Sequence, residues 1–193
     1  DSKEPKFTPN KFSPRKGKYG KGEFTIAYTE EGAISDMTLF YGIPANMKNF
    51  DMSYCEVGKS QICSATVDLT DFDGKSIQYY VELSDNIATT KSPTVTNVLI
   101  DLTPPIMEDF NFLVDDNKVE FHVDLDSAAT VLYKDLSDKK PAWKKLCSES
   151  QTKNNNNICH NVKKFKKNTT HDVIIRAEDR AQNYVEREIE FFT

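Results

Sequence analysis

The sequence predicts an all-β chain of two tandem antiparallel β-sandwiches, about seven strands each and set end to end. Three observations predict it. Apolar and polar residues alternate in short segments, with no apolar stripe at helical spacing. A set of landmarks recurs once, about 90 residues further on, which is the length of a duplicated domain and not of a solenoid unit. Each copy of the set carries its own close pair of cysteines.

The elements follow in order along the chain. Residues 1–22 hold seven Lys or Arg against two acids, and the phrase PRKGKYGKG with its neighbouring prolines predicts a basic first strand and a flexible turn. SIQYYVELS, TVTNVLIDL, KVEFHVDLD and HDVIIRAED are strand segments, in which β-branched and aromatic residues alternate with polar ones. The phrases EEGA, FDGK, DDNK, LSDKKP and KKNT have turn composition and break the strands about every 8–15 residues. In LIDLTPPI the consecutive prolines end a strand and cannot donate to a ladder. They divide the chain into a first domain over 1–101, a stiff linker over 102–105 and a second domain over 106–193.

The repeat can be laid residue on residue. Tyr41 to Tyr133 and Cys55 to Cys147 are both 92 apart, Asp85 to Asp179 is 94, and Cys63 to Cys159 is 96. Four cysteines allow three pairings, and proximity together with the repeat selects Cys55–Cys63 and Cys147–Cys159. The CxxC spacings of zinc sites are missing, and His160 and His171 supply no recognisable ligand set with the cysteines, so no metal and no cofactor is expected. Loops of about 9 and 13 residues predict roughly 2.5–3 kcal/mol of stabilisation per bridge. Such bonds persist outside a reducing cytosol, which implies an extracellular or cell-surface location. Between Cys147 and Cys159 the asparagine-rich SESQTKNNNNI reads as a polar, irregular connection between neighbouring strands, because asparagine tolerates left-handed backbone.

The order YYVELSDNIATTKSPTVTNVLIDLTPP, echoed by IIRAEDRAQNYVEREIEFF, resembles the immunoglobulin-like and fibronectin type III-like modules found in tandem in archaeal and bacterial surface proteins. The resemblance implies two immunoglobulin-like β-sandwiches and a tight turn between the last two strands at Asp85–Asn86 and at Asp179 to Asn183. The glycine of that turn phrase is missing, and Ala88 and Gln182 stand nearby. The phrase from Trp143 to Cys147 resembles the aromatic run that precedes a short local bridge in such modules. The wide cysteine spacing of antibody domains is absent, so no cross-sheet disulfide is expected.

The function implied is a non-enzymatic structural or adhesive module pair of a cell-surface or envelope protein, S-layer-like, acting as a spacer or interaction surface. The alternative is a pair of accessory modules that bind substrate or polysaccharide for a larger secreted enzyme. Expected partners are other surface proteins or neighbouring domains, with polysaccharide as a further class. The mixed charge, net -5, speaks against nucleic acid, and no apolar run is long enough to insert in a membrane. No nucleophile elbow, zinc-protease motif or phosphate loop is present, so no catalytic residue is assigned.

Three sets of candidate site residues remain. Lysines flank aromatics in VKKFKKN and around Trp143, so Lys144, Lys164 and Lys166 with Trp143 are candidates for contact with an anionic glycan, against a merely solvated charged face. Alternation along a strand prevents all the lysines of VKKFKKN from sharing one side. Asp68, Asp71, Asp73 and Asp101 are candidate oxygen ligands for calcium, against surface carboxylates that merely hydrate. Asn168 begins a sequon, Asn168–Thr169–Thr170, which an exported chain would expose for glycosylation.

Overall fold

The computed structural model describes residues 3–193, and the chain divides into two compact units between Leu102 and Thr103. Three of the four residues expected as a linker are held by a domain, and Pro104 is exposed. Leu102 packs on the first core and donates its amide to Asp73 Oδ1 at 2.8 Å, whereas Pro105 is buried in the second unit and Thr103 offers its carbonyl to Asn183 Nδ2 at 3.5 Å.

Among the described residues the first domain has nine strands, more than the seven or so expected because the first segment adds two short ones: β1 (Lys6–Phe7), β2 (Tyr19–Gly20), β3 (Glu23–Glu30), β4 (Asp36–Ile43), β5 (Asn46–Asp51), β6 (Gly58–Thr66), β7 (Ser76–Ser84), β8 (Thr89–Lys91) and β9 (Val95–Ile100). One sheet runs β1-β3-β6; the other runs β2-β9-β7-β4-β5, with β8 also on β7. The basic first segment crosses between the two layers. Its β1 pairs antiparallel with β3, while β2 pairs parallel with β9 in the opposite sheet. Between them Phe12 sinks into the core, and the Tyr79 hydroxyl donates to the Pro14 carbonyl at 2.8 Å. Alternation in β7 sends Ile77, Tyr79, Val81 and Leu83 inward against Phe24 and Ile26 of β3.

The second domain has seven strands: β10 (Met107–Asp115), β11 (Lys118–Leu125), β12 (Thr130–Asp135), β13 (Lys144–Cys147), β14 (Ile158–Lys164), β15 (Thr170–Glu178) and β16 (Tyr184–Phe192). They form a three-stranded sheet, β10-β11-β14, and a four-stranded sheet, β13-β12-β15-β16. Val119, Phe121 and Val123 of one sheet face Val131, Val173 and Ile175 of the other across a separate core.

The repeat is inexact in one informative way. Tyr41 of β4 pairs with Tyr79 of β7, whereas Tyr133 of β12 pairs with Ile175 of β15. Aligning the two copies on Asp85 and Asp179 would place Val173 there. The ladder has slipped by two residues, a step that leaves every side chain on its original face.

The connection from β13 to β14 is not the irregular loop its asparagines suggest. Residues Glu149–Asn154 form a short helix, α1, begun by a capping box: Gln151 donates its amide to Ser148 Oγ at 3.3 Å, and the Ser148 amide donates to Gln151 Oε1 at 2.7 Å. Only after the helix do Asn156 and Asn157 take left-handed backbone, with φ of 51° and 65°.

Candidate interaction surfaces

The four cysteines pair as Cys55–Cys63 and Cys147–Cys159, each with Cα atoms 5.8 Å apart, and all four are buried. Cys147 ends β13 in the four-stranded sheet, while Cys159 lies in β14 of the three-stranded sheet. This bridge joins the two layers, contrary to the expectation that so short a spacing excludes a cross-sheet bond. The chain itself changes sheets between β13 and β14, so a sequence separation of 12 spans the sandwich at its rim. In the first domain Cys55 lies on the crossover from β5 to β6, and Cys63 lies within β6. The two crossovers are plugged differently: Met52 is an apolar plug, whereas Thr152 of α1 donates its hydroxyl to the Ala129 carbonyl at 2.8 Å.

The candidate glycan residues are not brought together on one sheet. Lys144 projects from β13 and pairs with Asp138 at 2.8 Å, a hydrogen bond that pushes its ammonium pKa above the ordinary value. Lys164 ends β14 in the other sheet, and Lys166 follows it. Phe165, between them, is turned inward against Phe121, Tyr133, His171 and Phe191, so it is no stacking platform for a sugar. Register does create one basic pair that the sequence concealed. Lys118 stands directly opposite Lys164, with no ion-pair partner for either among the described residues.

The four candidate calcium carboxylates are committed to the chain. Asp68 accepts from the Thr70 hydroxyl at 2.5 Å and from its amide at 2.9 Å, and these bonds hold its carboxyl pKa below the usual range. Asp71 pairs with Lys48, Asp73 accepts from Leu102, and Asp101 is half-buried at the end of the first domain. Among the described residues no three carboxylates, histidines or cysteines converge as a ligand set with their side chains as they stand. Asn168 is exposed on the turn between β14 and β15, with φ of 51°.

Two outward clusters lie on the larger sheets. In the second domain Arg176 of β15 is sandwiched between Trp143 and Tyr184, 4.2 and 4.0 Å from the ring centroids, and Lys134 lies 4.9 Å from Trp143. Two guanidinium nitrogens also donate to Glu186 Oε1, at 2.8 and 2.6 Å. In the first domain Phe40 and Tyr80 stack at 4.9 Å, and Lys91 caps Tyr80 at 3.6 Å. Alternation assigns these residues to the solvent side, but only strand order shows that they meet. The turns between the last strands are built from aspartate in both domains. Asp85 Oδ1 accepts the Ile87 and Ala88 amides at 2.6 Å each, and Asp179 Oδ1 accepts the Asn183 amide at 2.8 Å. Gln182, with φ of 64°, takes the left-handed conformation that a glycine would adopt without strain.

No protein-family model and no curated protein matches the chain. Among solved structures it is similar to the FN1-FN3 domains of chicken CNTN1, at 13% identity and a TM-score of 0.54, over 94% of this chain and 64% of that one. The chain thus spans less than two thirds of that fragment. Two further likenesses are weaker. Fibronectin(III)-like modules of Clostridium thermocellum CbhA match at 12% identity and a TM-score of 0.47, over 98% of this chain and 94% of that one. The two fibronectin type III domain segment of chicken tenascin matches at 11% identity and a TM-score of 0.38, over 98% and 99%. At these identities the likeness is one of fold: tandem fibronectin type III-like sandwiches.

Proposed function

We propose that the chain is a non-enzymatic, extracellular structural or adhesive module pair of a cell-surface or envelope protein, of the kind archaea and bacteria display. The observation that carries this reading is the recurrence of a buried disulfide at the same crossover in two separately cored sandwiches. A bridge retained through duplication at the junction of two layers suits a chain that must hold its shape where thiols oxidise. Such a protein presents its sheet faces and turns to partners on neighbouring chains, and in an exported chain Asn168 is the position for an N-linked glycan. Alkylating free thiols in freshly lysed source cells, followed by non-reducing peptide mapping, tests the location. Cys55–Cys63 and Cys147–Cys159 peptides should be recovered linked and unalkylated; four alkylated cysteines would overturn an extracellular role.

A second reading is accessory binding of an anionic polysaccharide, and the facing Lys118 and Lys164 favour it. Reversing both charges, K118E/K164E, should lower the salt needed for elution from a heparin column. Unchanged elution would dismiss it.

A further inference from the structure

We infer that the outer face of the three-stranded sheet in the second domain is a binding site for a divalent transition-metal ion of the zinc type, held by His122 and His160 with carboxylate help from Glu120 and Asp124. The chain has three histidines. Two of them stand directly opposite each other on adjacent antiparallel strands, His122 on β11 and His160 on β14. Glu120, His122 and Asp124 alternate with the buried Phe121 and Val123, so all three share the outward face with His160. One carboxylate therefore flanks the imidazole pair on each side.

The spacing suits a shared metal. Two imidazoles on one tetrahedral ion, with about 2.0–2.1 Å from metal to nitrogen, place their ring centroids roughly 5–5.5 Å apart. The rings of His122 and His160 are 6.0 Å apart, and a shared ion would require both side chains to rotate from their present carboxylate contacts. Each ring now turns its Nε2 to a carboxylate: His160 to Glu120 Oε1 at 2.5 Å, and His122 to Asp124 Oδ1 at 2.9 Å. The second contact is short but poorly aimed, for Asp124 Oδ1 is buried and receives no hydrogen bond of proper geometry. A metal would give that oxygen a cation to face. Turning both rings toward each other makes the two carboxylates either direct ligands or the groups that orient the imidazoles, the usual company of a ligating histidine.

The surroundings agree with that chemistry. Glu120, His122 and His160 line a shallow dish of about 330 Å³ together with Asn111 and Leu113, open to solvent for entry of an ion. Asp109 pairs with Asp124 in the ladder and adds negative charge, while Lys118 and Lys164 lie one outward position beyond Glu120 and Val162. Imidazole with carboxylate favours zinc, nickel or copper over magnesium and calcium, which prefer all-oxygen sites.

Titration of the full chain, stripped with chelator, with ZnCl2 by calorimetry tests the site, alongside histidine proton NMR. One zinc per chain should bind, shifting the His122 and His160 ring signals and leaving those of His171 in place. H122Q/H160Q should lose more than tenfold in affinity, and E120Q or D124N about tenfold each. Both histidines lie on the sheet surface, and circular dichroism of the variants checks that they fold. MgCl2 should give no binding. Absence of zinc binding at millimolar ZnCl2, or binding undiminished in H122Q/H160Q, would overturn the assignment.

Discussion

The two domains share a layer plan and a disulfide position, but they close the same end of the sandwich with opposite chemistry. Two residues after its core tyrosine, the first domain has Ile43, and the first buried residue of β7 is Ile77. The second domain has Asp135 two residues after Tyr133, and the first buried residue of β15 is His171. His171 Nδ1 lies 2.6 Å from Asp135 Oδ2, and both side chains are 3% exposed. The Nε2–H donates to the Lys166 carbonyl at 3.0 Å. Asp135 Oδ1 also accepts the Ser137 amide at 2.9 Å, and the ring packs edge-on against Phe165 at 5.0 Å. The polar pair thus ties together β12, β15 and the turn carrying Lys166, whereas the first domain fills that end with apolar side chains. The comparison teaches that one sandwich plan accepts either solution, provided that every buried polar atom is matched.

Breaking the pair should have the largest effect. Asp135→Ala leaves His171 buried without its acceptor and should destabilise the second domain by about 3–5 kcal/mol, read by urea unfolding through the only tryptophan, Trp143. The double change D135I/H171I, which imports the chemistry of the first domain, should recover most of that loss. If the single and double variants are equally unstable, the two ends are not interchangeable in the way proposed.

Next in size come the bridges. Replacing Cys147 and Cys159 by serine should cost the second domain about 3 kcal/mol, and replacing Cys55 and Cys63 should cost the first slightly less, because its loop is shorter. Each loss should appear in one unfolding transition alone. Movement of both transitions in either variant would show that the two cores do not unfold independently.

The smallest effect separates the domains by pH. Burial pushes the Tyr79 phenol far above its ordinary value, and burial also raises Tyr28 and Tyr41 in the first domain but only Tyr133 in the second. A raised folded-state value means that the unfolded chain gives up its phenolic proton first. This contribution is intact below about pH 10 and is lost as pH rises beyond it. The first domain should therefore weaken sooner in alkali. Tyr79→Phe should flatten that loss, while costing about 1–2 kcal/mol near neutrality through the unpaired Pro14 carbonyl. Equal alkaline slopes for the two domains would contradict the assignment.

Alternation of apolar and polar residues determined by itself the long strands such as β7, β11 and β15 and which of their side chains face inward, because the side-chain period of a strand is two whatever its partners, whereas the two- and three-residue strands β1, β2 and β8 are too short to show it. The spacing of the repeat likewise made two domains and two cysteine pairs legible from residues such as Tyr41, Tyr133, Cys55 and Cys147. Turn chemistry was legible at Asp85 and Asp179, whose carboxylates bond to their own neighbours. The start of α1 was equally local, in Ser148 and Gln151, although the asparagines beyond them have the composition of a loop. Which strands become neighbours was decided only in three dimensions. Strand order set Arg176 between Trp143 and Tyr184, the two-residue slip put Ile175 opposite Tyr133, and the change of sheet at β13–β14 turned a short cysteine spacing into a bond between layers. The meeting of His122 with His160 depends on the register of β11 against β14, and register is fixed by which residues the whole sandwich buries, not by any signal within either strand.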